Sequence, residues 1–538
     1  MFKGSITVRV INAVVRYVAS AYESSLLKAL IMRFAVWFNT VFMVIYKESF
    51  FYRCIMKFAD WLAKSLKESS LYKLIMNKTP YEESYSSSTV YGIIGKILDS
   101  FIKFFKKVCD FILNLAKGSL VAKLYHKIHN TGCFKFEYIC GAFFCIMMIV
   151  PHDYWNNLYS VAMAFAFVAM YIVCRINGRN FAFNVRALTL SFVAFAMAIV
   201  GAVFITPVFF DGVRIALFFI ASLIFTLVLW GSISDVKTLK TVVMFLVAGL
   251  LVMCIYAIYQ SIVGVPIDHS LIDVNANKGM PGRVYSTFGN PNNFAETIVL
   301  VLPFVCALFL SSESKKAKLG FGVVFAICIA ALAVSYSRSC YVAFAITAVV
   351  FILMYDWKFI IPLAAIAIVC IPFLPETIMN RILTIGSMED SSNAYRPMIW
   401  EGVIRLIKDT GLSGIGIGPL AFAKLYPSYA NPLAITAPHS HMLYMEIFVE
   451  LGIVGFLGFF GFMYASIKKG LAVFNSTNKT LRCMIIAVIS ALAGISFTGC
   501  AEYIWFYPRV MFVFWIVIGI LLATVRISKK QAVEKDNQ

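Results

Sequence analysis

The stretch APHSHMLYMEIFVELG (437–452) sets His439 and His441 one residue apart at the mouth of a long apolar run, in a chain with six histidines among 538 residues. Imidazole titrates near neutrality, so a histidine at the edge of a membrane helix is suited to take a proton from a hydroxyl. Three arginines occupy comparable places: Arg283 in GRVYSTFGNPNNFAE, Arg338 in SYSRSCY and Arg396 in YRPMIW. At a membrane boundary arginine must pair, snorkel or bind an anion, and its planar fork grips phosphate oxygens at two points. Several arginines converging near a histidine would suit a diphosphate-linked substrate. Taken singly, each residue also has a plainer use. Arg338 could cap a helix and snorkel, and Arg396 could be one surface charge beside Arg381, Arg405 and Lys408. Arg283 could brace a Gly/Asn/Pro-rich turn, and one histidine could be an interfacial polar group.

Other motifs carry less chemistry. Glu446 and Glu450 follow on the same helix but lack a third clear ligand, so no metal site is expected. GIGIGP (414–419) lacks the Lys-Ser/Thr of a phosphate-binding loop and reads as a loop after a helix. The thirteen cysteines lie mostly in apolar runs without a CxxC pair, as small buried hydrophobes do.

These side chains must be positioned by membrane helices. The residues are 61% hydrophobic and 14% charged, with a mean hydropathy of +0.83, more apolar surface than a soluble chain can hide. The expected class is an all-α polytopic membrane protein. Of the formal charge of +20, residues 1–130 supply +11, with 19 Lys/Arg against 8 Asp/Glu. A basic excess beside a membrane points to the cytoplasmic face and anionic lipid, not to nucleic acid.

Two regions follow. Residues 1–130 read as a basic amphipathic region with a linker at 78–89. In 93–117, Ile94, Leu98, Phe101, Phe105, Val108 and Ile112 share one face, as in a helix lying in the interface. Residues 131–538 read as the membrane domain, with about twelve helices near 136–150, 154–174, 187–206, 214–230, 240–260, 293–311, 318–335, 338–355, 358–375, 441–466, 482–502 and 507–525. Basic residues fall in alternate loops: Arg175/Arg179/Arg186, Lys237/Lys240, Lys315/Lys316/Lys318 and Lys468/Lys469/Lys479/Arg482, with Arg526/Lys529/Lys530 in the tail. The positive-inside rule then puts both termini in the cytoplasm. The opposite side carries 261–292 and the long external loop 376–437. Within that loop a helix is expected to start at Pro397, carry a stripe of Ile399, Trp400, Val403, Ile404 and Ile407, and stop at Gly411.

Taken in order, GRVYSTFGNPNNFAE, SYSRS, the long loop with R-P-x-x-W, and H-M-L-Y-M-E-x-x-x-E-L-G-x-x-G form a series. It resembles the O-antigen ligase and O-antigen polymerase superfamily of bacterial envelope glycosyltransferases, over roughly 136–525 and most strongly over 282–456. The resemblance implies a multi-helix fold of the GT-C type, working at the outer face of the cytoplasmic (inner) membrane. Donors there are glycans carried on undecaprenyl diphosphate and the acceptor is a glycan or lipid-glycan. Neither a nucleotide sugar nor, in the ligases, a metal is used, so no cofactor is expected. Carried over, Arg338 and Arg396 would hold the diphosphate, with Arg283 beside them, and His441 would be the base for the acceptor hydroxyl. The family commonly has His-Asn where this chain has His441-Met442; His439-Ser440 is the competing alignment. A lipid-linked glycan flippase is the rival reading, although helices between 136 and 375 nearly free of charge weigh against ion-coupled transport.

Overall fold

The computed structural model describes residues 88–115, 135–176, 189–268, 279–386 and 391–536, with scattered positions before residue 135. Residues 80–538 form one compact unit, distinct from residues 1–79. Most of the basic region, most of its linker, and Arg179 and Arg186 lie outside the described residues. Every regular element described is a helix. Helix α1 (Thr89–Leu115) covers the expected amphipathic segment. Of its proposed stripe only the Val108 side chain is described, and it is half-buried.

The membrane-domain helices are α2 (Phe136–Ile149), α3 (Asn157–Ile176), α4 (Leu190–Ile205), α5 (Phe209–Ser232), α6 (Val236–Val263), α7 (Pro291–Ser311), α8 (Lys315–Val334) and α9 (Arg338–Asp356). Then come α10 (Ile360–Cys370), α11 (Glu376–Leu383), α12 (Ser391–Thr410), α13 (Pro419–Leu425), α14 (Leu443–Val473), α15 (Lys479–Thr498) and α16 (Pro508–Asp536). Among the described residues nine helices, α3, α5–α9 and α14–α16, are long and apolar enough to cross a membrane. The other three of the twelve expected spans are the shorter apolar helices α2 and α4 and a pair bent by 118° at the α10–α11 break.

Helix α16 is the bundle's axis, with 94% of its apolar window buried. Trp515 stacks on Phe195 and Phe462, with ring centroids 5.7 and 5.9 Å away, and its carbonyl accepts a 2.7 Å hydrogen bond from Thr226 Oγ1. Lipid is as apolar as these side chains, so close packing and interhelical hydrogen bonds must hold the helices together. Arg509, 2% exposed, ties one end of the bundle together by donating to the carbonyls of Val150 and Thr287, each at 2.8 Å.

Helix α14 departs from the expected straight span. Gly452 has φ 65° and ψ −169°, a conformation that only glycine adopts readily. The Tyr444 and Phe460 rings lie 5.4 Å apart, and those of Phe448 and Phe456 5.6 Å apart. Tyr444 and Phe460 would be about 24 Å apart along a straight helix. Both pairs are symmetric about Gly452, so 443–451 and 453–473 form a helical hairpin, and only the second arm is positioned to cross the membrane. His441 therefore lies at the inner foot of a short arm, roughly 14 Å below the turn at 1.5 Å per residue.

The 391–437 segment packs on that arm. Pro397 lies inside α12 rather than at its start, and the helix stops at Gly411 as expected, φ 67°. Ile399, Val403 and Leu406 of α12 join Phe422, Tyr426 and Val449 in a small core. Ile404, assigned to the stripe, is instead exposed. GIGIGP threads between the hairpin and α4: Ile415 N–H donates to Val449 O at 2.7 Å, and Gly418 N–H to Glu450 Oε1 at 3.1 Å.

Candidate active site

The turn Pro438–Met442 enters the bundle at the level where α15 ends. Leu443 N–H donates to Gly499 O at 2.8 Å and Glu502 O at 3.2 Å, joining the foot of α14 to the turn between α15 and α16. Trp400 Nε1 donates to Ser440 O at 3.0 Å, and Ser440 N–H to Glu446 Oε2 at 2.6 Å. Glu446 and Glu450, considered above as ligands, are buried acceptors that brace this turn, with Tyr503 Oη donating to Glu450 Oε2 at 3.0 Å.

His439 and His441 have distinct surroundings. His439 is 6% exposed and lies against Phe506 and Tyr503, at centroid distances of 4.5 and 5.6 Å. Its Nδ1 accepts the His441 backbone N–H at 3.0 Å, so in the neutral ring the proton sits on Nε2. Burial first, and then the neighbouring His441, push its pKa down to about 3, leaving it neutral and weakly basic. The His441 side chain is 29% exposed, and its Nδ1 lies 3.6 Å from Glu502 Oε2. Its backbone is left-handed, φ 54°, which for a non-glycine residue marks a locally constrained site.

Glu502 is the residue that sequence reasoning missed. One carboxylate oxygen pairs with Arg396 Nη2 and the other faces His441. Burial would raise its pKa, but the His441 contact and the Arg396 charge outweigh that and hold it at about 2. Arg396 also donates to Asn393 Oδ1 at 3.3 Å, and its buried Nε has no hydrogen-bond partner among the described residues.

The other arginines meet at the Ser335–Ser337 turn that starts α9. Arg283 Nε donates to Ser335 O at 3.0 Å, and its Nη2 to Asn292 Oδ1 at 2.5 Å. Ser337 Oγ shares that acceptor at 2.9 Å. Arg338 Nη1 donates to Thr384 O at 3.0 Å. Arg381, grouped above with surface charges, is 6% exposed and donates to Tyr336 O at 3.0 Å. Burial lowers the Arg283 pKa to about 10, and Arg283 senses the charges of both Glu502 and Arg338. Glu502 also lies within electrostatic range of Arg283, which links the arginine turn to the histidine turn. Arg405, by contrast, is an exposed partner of Glu401.

A sequence comparison bears on this constellation. Residues 323–460 match the O-antigen ligase family. The matched segment spans the arginine turn, the long loop and the histidine turn. It contains Arg338, Arg396, His439 and His441, while Arg283 and Glu502 lie outside it. No curated protein matches the chain. The chain is thus a membrane protein with many apolar helices, part of which is similar to the O-antigen ligase family. An apolar cavity of about 320 Å³ lies below its histidine turn, between the descending arm of α14 and α15, lined in part by Leu443, Tyr444, Phe460, Ile467 and Leu492.

Proposed function

We propose that the protein is an integral membrane glycosyltransferase that ligates or polymerises undecaprenyl-diphosphate-linked glycans on the outer face of a bacterial inner membrane. The observation that carries this reading is the convergence of His441 and Arg396 on Glu502, with Arg283 and Arg338 gathered at the adjoining turn. An acceptor hydroxyl attacks the anomeric carbon and gives its proton to His441. The bond from that carbon to the diphosphate oxygen breaks, and its electron pair leaves on the lipid diphosphate. Arg338 and Arg396, with Arg283 behind them, neutralise that oxygen as charge develops. In-line displacement inverts the anomeric centre. The apolar cavity beneath Leu443 supports a lipid-carried donor.

Sidedness rests on charge. Lys237, Lys240, Lys315, Lys316, Lys479, Arg526 and Lys530 lie at helix ends remote from the histidine turn, so the positive-inside rule assigns that end, and both termini, to the cytoplasm. Residues 1–130 would lie along the same face as a basic amphipathic region.

The test is transfer by the purified protein in detergent, given lipid-linked donor and a glycan or lipid-glycan acceptor. Wild type should form a new glycosidic bond with inversion, whereas a flippase forms none. His441→Ala should lower the rate by about 10³-fold or more while leaving insertion and yield unchanged. Full activity in that variant would overturn the role given to His441.

A further inference from the structure

Resting on that reading, we infer that Glu502 is a positioning residue, which orients the His441 imidazole and is exchanged between Arg396 and the base when the donor diphosphate arrives. The first observation is the division of its carboxylate. One oxygen is committed to Arg396, and the other faces His441 Nδ1 at 3.6 Å, within ion-pair range but too long for a hydrogen bond. The second is that His441 Nδ1 and Arg396 Nε are both buried without hydrogen-bond partners among the described residues. Each side of the pair thus retains unused capacity, and the carboxylate between them serves neither fully. The third is backbone placement. Leu443 N–H binds the carbonyl of Glu502 itself, so the histidine turn and the Glu502 turn are fixed to each other while the side chains stay adjustable.

An incoming diphosphate offers Arg396 a stronger, doubly anionic partner. Arg396 turns to it, and Glu502 closes on Nδ1–H of His441. The ring then presents Nε2 to the acceptor hydroxyl. As the proton moves from that hydroxyl to Nε2, the positive ring is stabilised by the carboxylate on its other nitrogen. Glu502 gains no proton in this step. The base is thereby completed only when a leaving group is in place, which disfavours futile hydrolysis. The groups facing Glu502 are His439, His441 and Arg396, with Arg283 and Glu296 within electrostatic reach.

The test is steady-state kinetics of full-length Glu502→Gln and Glu502→Asp against wild type, with lipid-linked donor and acceptor across pH 5.5–9. For E502Q the expectation is a fall in kcat of about 10²-fold or more, no rise in donor KM because Arg396 loses its internal competitor, and an acidic limb of the rate profile displaced to lower pH. E502D, which keeps the charge, should recover part of kcat and keep the limb in place. E502Q with kcat within about threefold of wild type overturns the inference. So does loss of kcat with an unmoved limb and a raised donor KM, the pattern of a merely structural residue. If E502Q does not fold, E502D decides: a kcat equal to wild type counts against positioning, and a reduced kcat at unchanged donor KM supports it. Failure of wild type to make any glycosidic bond is a separate outcome and rejects the glycosyltransferase reading itself.

Discussion

At the residue scale, the two histidines differ because one is walled in and the other is paired. His439 stays neutral against Phe506 and Tyr503, while His441 faces a carboxylate. This has a consequence for pH. A folded-state pKa of about 3 for His439, against roughly 6.5 in an unfolded chain, means that the unfolded state binds more protons between those values. The stabilisation is present above about pH 6.5 and is lost as pH falls toward 3. Glu502, held at about 2 against an unfolded value of roughly 4.3, extends the loss to lower pH. Relative to wild type, detergent-solubilised His439→Gln should therefore gain melting temperature at pH 5 compared with pH 7.5, because it removes this acid-labile contribution. An unchanged slope in the variant would assign the acid sensitivity elsewhere. Arg338, Arg396 and His441 stood out in the sequence as candidates because polar groups at membrane boundaries are costly. Glu502 did not, because its meeting with Arg396 and His441 depends on two turns far apart in sequence coming together.

At the element scale, long apolar runs made most helices legible, since a span needs about twenty such residues. The hairpin in α14 was hidden because Gly452 is followed by Gly455, Gly458 and Gly461 in an unbroken apolar run, and glycine is ordinary in membrane helices. Nothing in composition separates the glycine that turns the chain from those that admit a neighbour. A Cβ at position 452 would lie 2.5 Å from Leu412 O, and the backbone conformation itself would cost about 1–3 kcal/mol for any other residue. Gly452→Ala should lower the melting temperature by a few degrees and reduce transfer more than tenfold, because the arm carrying His441 at its foot must shift. Gly416→Ala makes a second check on the same loop: φ is 90°, and the added Cβ would meet the Thr206 backbone at 2.3 Å. Wild-type melting and rate in both variants would mean that the arm is not held by these contacts.

At the scale of the whole molecule, the lysine-rich helix ends and the candidate site lie at opposite ends of the bundle. Reporter fusions or cysteine labelling in intact cells should place position 420 outside and the C-terminus inside; the reverse result would invert the proposed orientation. That orientation is proposed from the net charge of each region and the alternation of apolar runs. The packing order around α16 could not be read, since every face of its apolar window is apolar. The hairpin of α14 also bears on biosynthesis. A nine-residue arm is too short to insert as a span, and its foot is pinned to carbonyls of the α15–α16 turn. During synthesis, then, His441 emerges long before the segment that anchors it and the carboxylate that faces it. The growing chain holds an unfinished site until its last two helices arrive, so a membrane-bound nascent chain should be unable to act on its substrate prematurely.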